Sequence, residues 1–168
     1  VASLVGSEMC IRDRTNIESI YAIGDVTDRI NLTPVAIAEG HAFSDREFGN
    51  KNRFISYDNV PSAVFSQPPV SVVGLTLEDA KTLNIKAKEF VSEFNPLKNT
   101  ITGKQEKTLM KLVVDENDKV LGAHMLGDYS PEIIQGIAVS IKAGAKKSDF
   151  DATIGIHPTA AEEFVTMK

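Results

Sequence analysis

Two apolar runs, residues 109–114 and 120–126, face each other across the polar triplet Glu116-Asn117-Asp118. Short runs rich in Val and Leu, split by turn-forming residues, read as a β-hairpin. The segment that follows, residues 131–143, carries Ile133, Ile134, Ile137 and Ile141 at helical spacing and stops at Gly144. Residues 62–65 and 71–73 read as strands on either side of Gln67-Pro68-Pro69, a turn that cannot continue a ladder. Residues 76–83 read as a helix with Thr76 as its cap, and residues 159–167 as a final helix. Strands paired locally, with helices stacked against them, give an α+β domain.

The 45 residues or so before this domain follow a different pattern. Residues 19–23 read as a short buried strand broken by Gly24-Asp25. Thr33 is expected to cap a helix with Pro34 at its first position, running to about Gly49. Val35, Ala38 and Ala42 follow at helical spacing. A polar linker covers residues 51–58, so the expected division is 15–50, linker, and 59–168. Residues 1–14 match nothing that follows and are expected to be an artefactual leader, resembling a translated sequencing adapter.

Composition narrows the classes of function. A net charge of −5 disfavours general nucleic-acid or membrane-surface binding. No apolar run reaches the roughly 18–20 residues of a spanning helix, so a soluble, cytoplasmic protein is expected. Cys10 is the single cysteine, which excludes an internal disulfide. His41, His124 and His157 lie far apart without ligand spacing, and no metal is assigned.

Chemistry concentrates in two places. A strand ending at Gly24-Asp25 puts a carboxylate at a sheet edge, where open α/β sheets bind ligands and where the acid can accept a hydroxyl. The bland reading of Asp25 is a turn residue. In Ile156-His157-Pro158-Thr159, Pro158 keeps His157 out of helical geometry, so the imidazole precedes a helix. Thr159 and Glu162 have capping-box spacing. An imidazole exchanges protons near neutral pH, and a carboxylate on its other nitrogen fixes the tautomer and steadies the cation. His124, inside the hairpin, reads as structural.

Three stretches, GDVTDRINLTPVA, VPSAVFSQPPVSVVGLT and the run from His124 to Met167 that includes PEIIQG and IHPTAAEEF, together resemble the FAD-dependent pyridine nucleotide-disulfide oxidoreductases. Within them the likeness is to glutathione reductases, in particular those of plants and cyanobacteria. The resemblance implies a strand and helix from the end of an FAD-binding domain, followed by a dimerisation domain. It implies FAD and NADPH as cofactors, a homodimer, and glutathione disulfide as substrate.

Residue by residue, the resemblance makes His157 and Glu162 an acid–base pair serving the partner subunit. Gly24 and Asp25 would hold the flavin's ribityl chain, with Leu32, Thr33 and Pro158 beside its ring and Ala63 near the nicotinamide. Glu163 and Leu97 would line the disulfide site, and His41 would stand where some members bind a glutathione carboxylate with Arg. The G-x-G-x-x-G fingerprint and a C-x-x-x-x-C redox motif are absent from these 168 residues, so the chain alone is expected to be inactive. Trypanothione reductase, dihydrolipoamide dehydrogenase and a non-catalytic dimerisation module stand as alternatives.

Overall fold

The computed structural model describes residues 13–168; residues 1–12, with Cys10 and nearly all of the expected leader, lie outside the described residues. The chain divides into two compact units between Tyr57 and Asp58.

In the first unit a 3-10 turn, Gly24–Thr27, packs on helix α1, Thr33–Glu47. The helix begins one residue earlier than expected: Leu32 takes the N-cap position and Thr33 is already helical, with no side chain capping the end. Residues 19–23 do not form the expected strand. They contribute one isolated bridge, Arg14 to Tyr21, and Ile20 and Ile23 are exposed. A strand needs a neighbouring ladder to satisfy its backbone groups, and none runs along it among the described residues. Asp13 is buried and paired with Arg46, so the last residues of the expected leader are packed into this unit. Residues 48–57 have no regular structure. They are tied back to α1: Arg46 donates to the carbonyl of Arg53 at 3.0 Å, and Arg53 donates to Asp45 at 3.2 Å.

The second unit is an α+β domain on a five-stranded antiparallel sheet, in the order β1-β2-β5-β4-β3. The strands are β1 (Ser62–Val64), β2 (Val70–Gly74), β3 (Ala87–Phe94), β4 (Thr108–Asp115) and β5 (Val120–Leu126). The hairpin read from sequence is β4–β5. Its turn is closed by Asp115, whose carboxylate accepts the N–H groups of Asn117 (2.9 Å) and Lys119 (2.8 Å). Helix α2 (Leu77–Thr82) starts as expected at Thr76, whose hydroxyl accepts the Asp79 N–H at 3.0 Å. Strand β3 and the short helices α3 (Leu97–Thr102) and α5 (Lys147–Ala152) were not anticipated.

The pleat sorts the sheet's two faces. Met110, Leu112, Ala123 and Met125 point one way, into a core closed by Ile134, Ala138 and Ile141 of α4 (Ser130–Lys142) and by Phe164 and Met167 of the tail. Lys111 and His124, cross-strand neighbours, point the other way. That face is the more polar one, as a one-sided antiparallel sheet allows. Among the described residues no helix is long and apolar enough to cross a membrane.

Candidate active site

The expected final helix is two short pieces, a 3-10 turn (Ala160–Glu162) leading into α6 (Glu163–Thr166). Phe164 and Met167 are buried in the core, and Lys147, itself buried, donates to the Met167 carbonyl at 2.9 Å. The tail is therefore fastened at its far end. Its near end is not packed inward: the His157 side chain is 81% exposed. Locally it is ordered by Thr159, whose hydroxyl donates to the Ile156 carbonyl at 2.7 Å.

His157 Nδ1 lies 3.0 and 3.1 Å from the two carboxylate oxygens of Glu162. Oε1 of the same carboxylate accepts the Thr159 N–H at 3.3 Å, so Glu162 caps the turn and holds the imidazole together. Gly155 permits this placement, since a Cβ there would stand 2.9 Å from the Glu162 Cβ. With Nδ1–H donating to Glu162, the ring's Nε2 is the atom left to take or give a proton.

His157, Pro158, Glu162, Glu163 and Leu97 line one cavity of about 610 Å³. Glu163 is held by the Ser92 hydroxyl, which donates to Oε2 at 2.9 Å and ties the tail to β3. Three further lining residues escaped the sequence reading: Lys98, Asp128 and Tyr129. The Lys98 ammonium is hydrogen-bonded to Asp128, and that carboxylate pushes its pKa up. The only signal available was adjacency, Lys98 following Leu97 and Asp128-Tyr129 opening the PEIIQG segment.

A second group gathers in the first unit. Gly24 sits at φ 70°, and a Cβ there would come 3.1 Å from that of Ala36, so glycine lets the turn press onto α1. Its N–H donates to the buried Glu39 at 2.5 Å. Glu39 also accepts from the Tyr57 hydroxyl at 2.5 Å, and burial with that contact pushes the phenol's pKa up. Asp25 is exposed in the turn, and Leu32 and Thr33 form the uncapped start of α1. The positive end of the helix dipole stands at this start, although Pro34 has no N–H and the Val35 and Ala36 N–H groups already donate to the Leu32 carbonyl. His41 stands apart, exposed on α1 about 12 Å farther along the axis. Ala63 lies alone in the middle of edge strand β1, paired with Ser71. Among the described residues no three His, Cys, Asp or Glu side chains group as a metal site.

Residues 60–168 match the family model described as pyridine nucleotide-disulphide oxidoreductase, dimerisation domain. Over 158 residues, 92% of this chain and 34% of the relative, the sequence is 55% identical to a glutathione reductase from Nostoc sp.. It is 53% identical over 156 residues to the chloroplastic/mitochondrial glutathione reductase of Pisum sativum, covering 92% of the chain and 28% of the relative. A trypanothione reductase from Trypanosoma congolense is 50% identical over 157 residues, 92% of the chain and 32% of the relative. Among solved structures, the HOCl-induced flavoprotein disulfide reductase RclA from Escherichia coli superposes with a TM-score of 0.79 at 26% identity, over 92% of this chain and 36% of that one. The chain thus spans about a third of the length of the curated relatives it matches.

Proposed function

The chain belongs to the pyridine nucleotide-disulphide oxidoreductases through their dimerisation domain, and from that premise we propose that it is the C-terminal part of a flavin-dependent, NADPH-consuming reductase of glutathione disulfide. The observation that carries the reading is an exposed imidazole whose Nδ1 rests on a carboxylate at the mouth of a cavity.

Reduction of a disulfide by a thiolate forms one S–S bond and breaks another, expelling a second thiolate that must be protonated. His157 Nε2 is the donor in this reading. Glu162, bonded to Nδ1, keeps the tautomer that leaves Nε2 free and stabilises the imidazolium before the proton moves. Leu97 and Pro158 give the cavity apolar walls, and Glu163 supplies an acceptor for the substrate's ammonium. The pair serves the active site of the partner subunit, so the homodimer is the working unit and the chain by itself is inactive. His41, standing where some members of the family carry Arg, would offer a substrate carboxylate at most a weak contact.

The first unit suits a flavin. Gly24 packs against Ala36 of α1, and Asp25 follows it, exposed, in the same 3-10 turn. Asp25 would accept hydroxyls of the ribityl chain, and Leu32 and Thr33 would flank the ring where reduction builds negative charge. When bound, FAD supplies the two-electron relay between a nicotinamide and the disulfide chemistry, and Ala63 would lie near that nicotinamide.

The full-length protein should oxidise NADPH with glutathione disulfide in preference to trypanothione or lipoamide disulfides. In it, His157→Ala should lower turnover by about 10²–10⁴-fold while the flavin absorbance is retained. Unchanged turnover would remove His157 from the mechanism, and a clear preference for trypanothione disulfide would move the substrate to that class.

A further inference from the structure

We infer that Lys98 and Tyr129 form a carboxylate-recognising rim on the cavity that holds His157, and so select anionic disulfides. The inference rests on the functional reading above and adds a specificity determinant to it.

The cavity is otherwise acidic. Among the described residues that line it, Lys98 is the only permanent cation, against Asp128, Glu162 and Glu163. Two of those carboxylates are engaged, Glu162 with His157 and Glu163 with Ser92. Each half of glutathione disulfide carries one ammonium and two carboxylates. Three wall carboxylates disfavour those of the substrate, and Lys98 is the one permanent counter-charge that the described walls offer them.

Lys98 is built for that role. It sits in the first turn of α3, next to Leu97, and its ammonium reaches Asp128 from a different part of the fold. The hydrogen bond to Asp128 raises a pKa that already lies well above neutrality, so the charge is present at any working pH. The Lys98 side chain is 52% exposed, so the pair is largely solvated and an incoming carboxylate can share or replace Asp128 at small cost. Tyr129 completes the rim: its ring centroid is 5.7 Å from the Lys98 Nζ. It adopts φ 65° in the tight turn closed by the Ser130 N–H donating to the Gly127 carbonyl at 3.2 Å, and it is 66% exposed. A phenol held there beside an ammonium offers an O–H and a cation to one carboxylate.

The test compares two substrates on the full-length, flavin-loaded enzyme: glutathione disulfide and the disulfide of glutathione esterified at both of its carboxylates. Lys98→Met should raise KM for glutathione disulfide by about tenfold, the loss of one charge-assisted hydrogen bond. The kcat and the KM for the ester should stay within about twofold, and Lys98→Arg should restore most of the loss. Asp128→Asn, which releases the ammonium, should lower KM for the free acid only. Equal KM changes for acid and ester, or no change in either, would overturn the inference while leaving the reductase reading intact. Absence of any turnover of glutathione disulfide by the parent enzyme would overturn both.

Discussion

His157 and His124 show how surroundings decide what an imidazole does. His157 is exposed and rests on Glu162, with a second nitrogen open to chemistry. His124 is half-buried on β5, and its Nε2 is buried without a hydrogen-bond partner among the described residues. The groups facing it are Lys111 from β4, Glu89 from β3 and Asp79 from α2. Burial is the largest influence, and together with Lys111 it holds the imidazolium's pKa below the ordinary 6.5; Glu89 and Asp79 oppose this only in part. The consequence for stability has a definite sign. The unfolded chain takes up a proton at about pH 6.5, whereas the folded chain resists until lower pH, so the unfolded state binds more protons in between. Stability is complete above pH 6.5 and falls as the pH drops toward and through the folded-state value. Urea midpoints of the full chain taken from pH 7.5 down to 5 should decline, and His124→Gln should flatten that decline. An equally steep decline in the variant would show that other groups carry it.

Among the elements, α4 is the one most firmly written in the sequence. Ile134, Ala138 and Ile141 fall on one stripe and are buried against β2 and β5, and α4 runs from Ser130 to Lys142, one residue short of the expected end. Val139, off the stripe, is exposed. Ile134→Ala should therefore cost about 2–5 kcal/mol in urea unfolding. Gln135→Ala, on the exposed side of the same turn, should stay within about 0.5 kcal/mol. A small loss at Ile134 would mean that the stripe does not anchor the helix. Strand β3 was hidden for the opposite reason. Phe90 and Val91 point to opposite faces, and Lys88, Glu89 and Glu93 are spread over both, so the alternation that marks a half-buried strand is blurred. Its pairing with β4 over eight residues comes from the tertiary ladder. Helix α3 is too short to announce itself and is fixed by Asn99, whose side chain donates to the Glu106 carbonyl at 2.7 Å. The same division runs through the site. His157 and Glu162 are five residues apart and could be paired by spacing and chemistry. Lys98 and Asp128 reach the cavity, and Ser92 reaches Glu163, only through α3, the turn before α4 and β3, contacts that no local pattern encodes.

At the scale of the whole molecule, the tail raises the question of which active site it serves. Ile154 and Ile156, on either side of Gly155 and next to His157, are 93% and 77% exposed. Large apolar side chains left open beside a reactive ring point to a covering surface, and a symmetric dimer is the arrangement that covers both copies alike. If the imidazole crosses to the partner, two dead variants of the full-length protein should rescue each other. One carries His157→Ala with an intact redox disulfide; the other keeps His157 but lacks the disulfide's cysteines. Refolded together in equal amounts, half the dimers are mixed, and each mixed dimer assembles one site from the good disulfide of one chain and the good imidazole of the other. Activity should return to about a quarter of the parent's, because one site in four is whole under random pairing. If each imidazole served its own chain, every site in the mixture would lack one component and no activity would return. Titrating the ratio of the two variants separates these outcomes further: trans service gives a maximum at equal amounts that falls to zero at either pure variant, and cis service gives a flat line at zero.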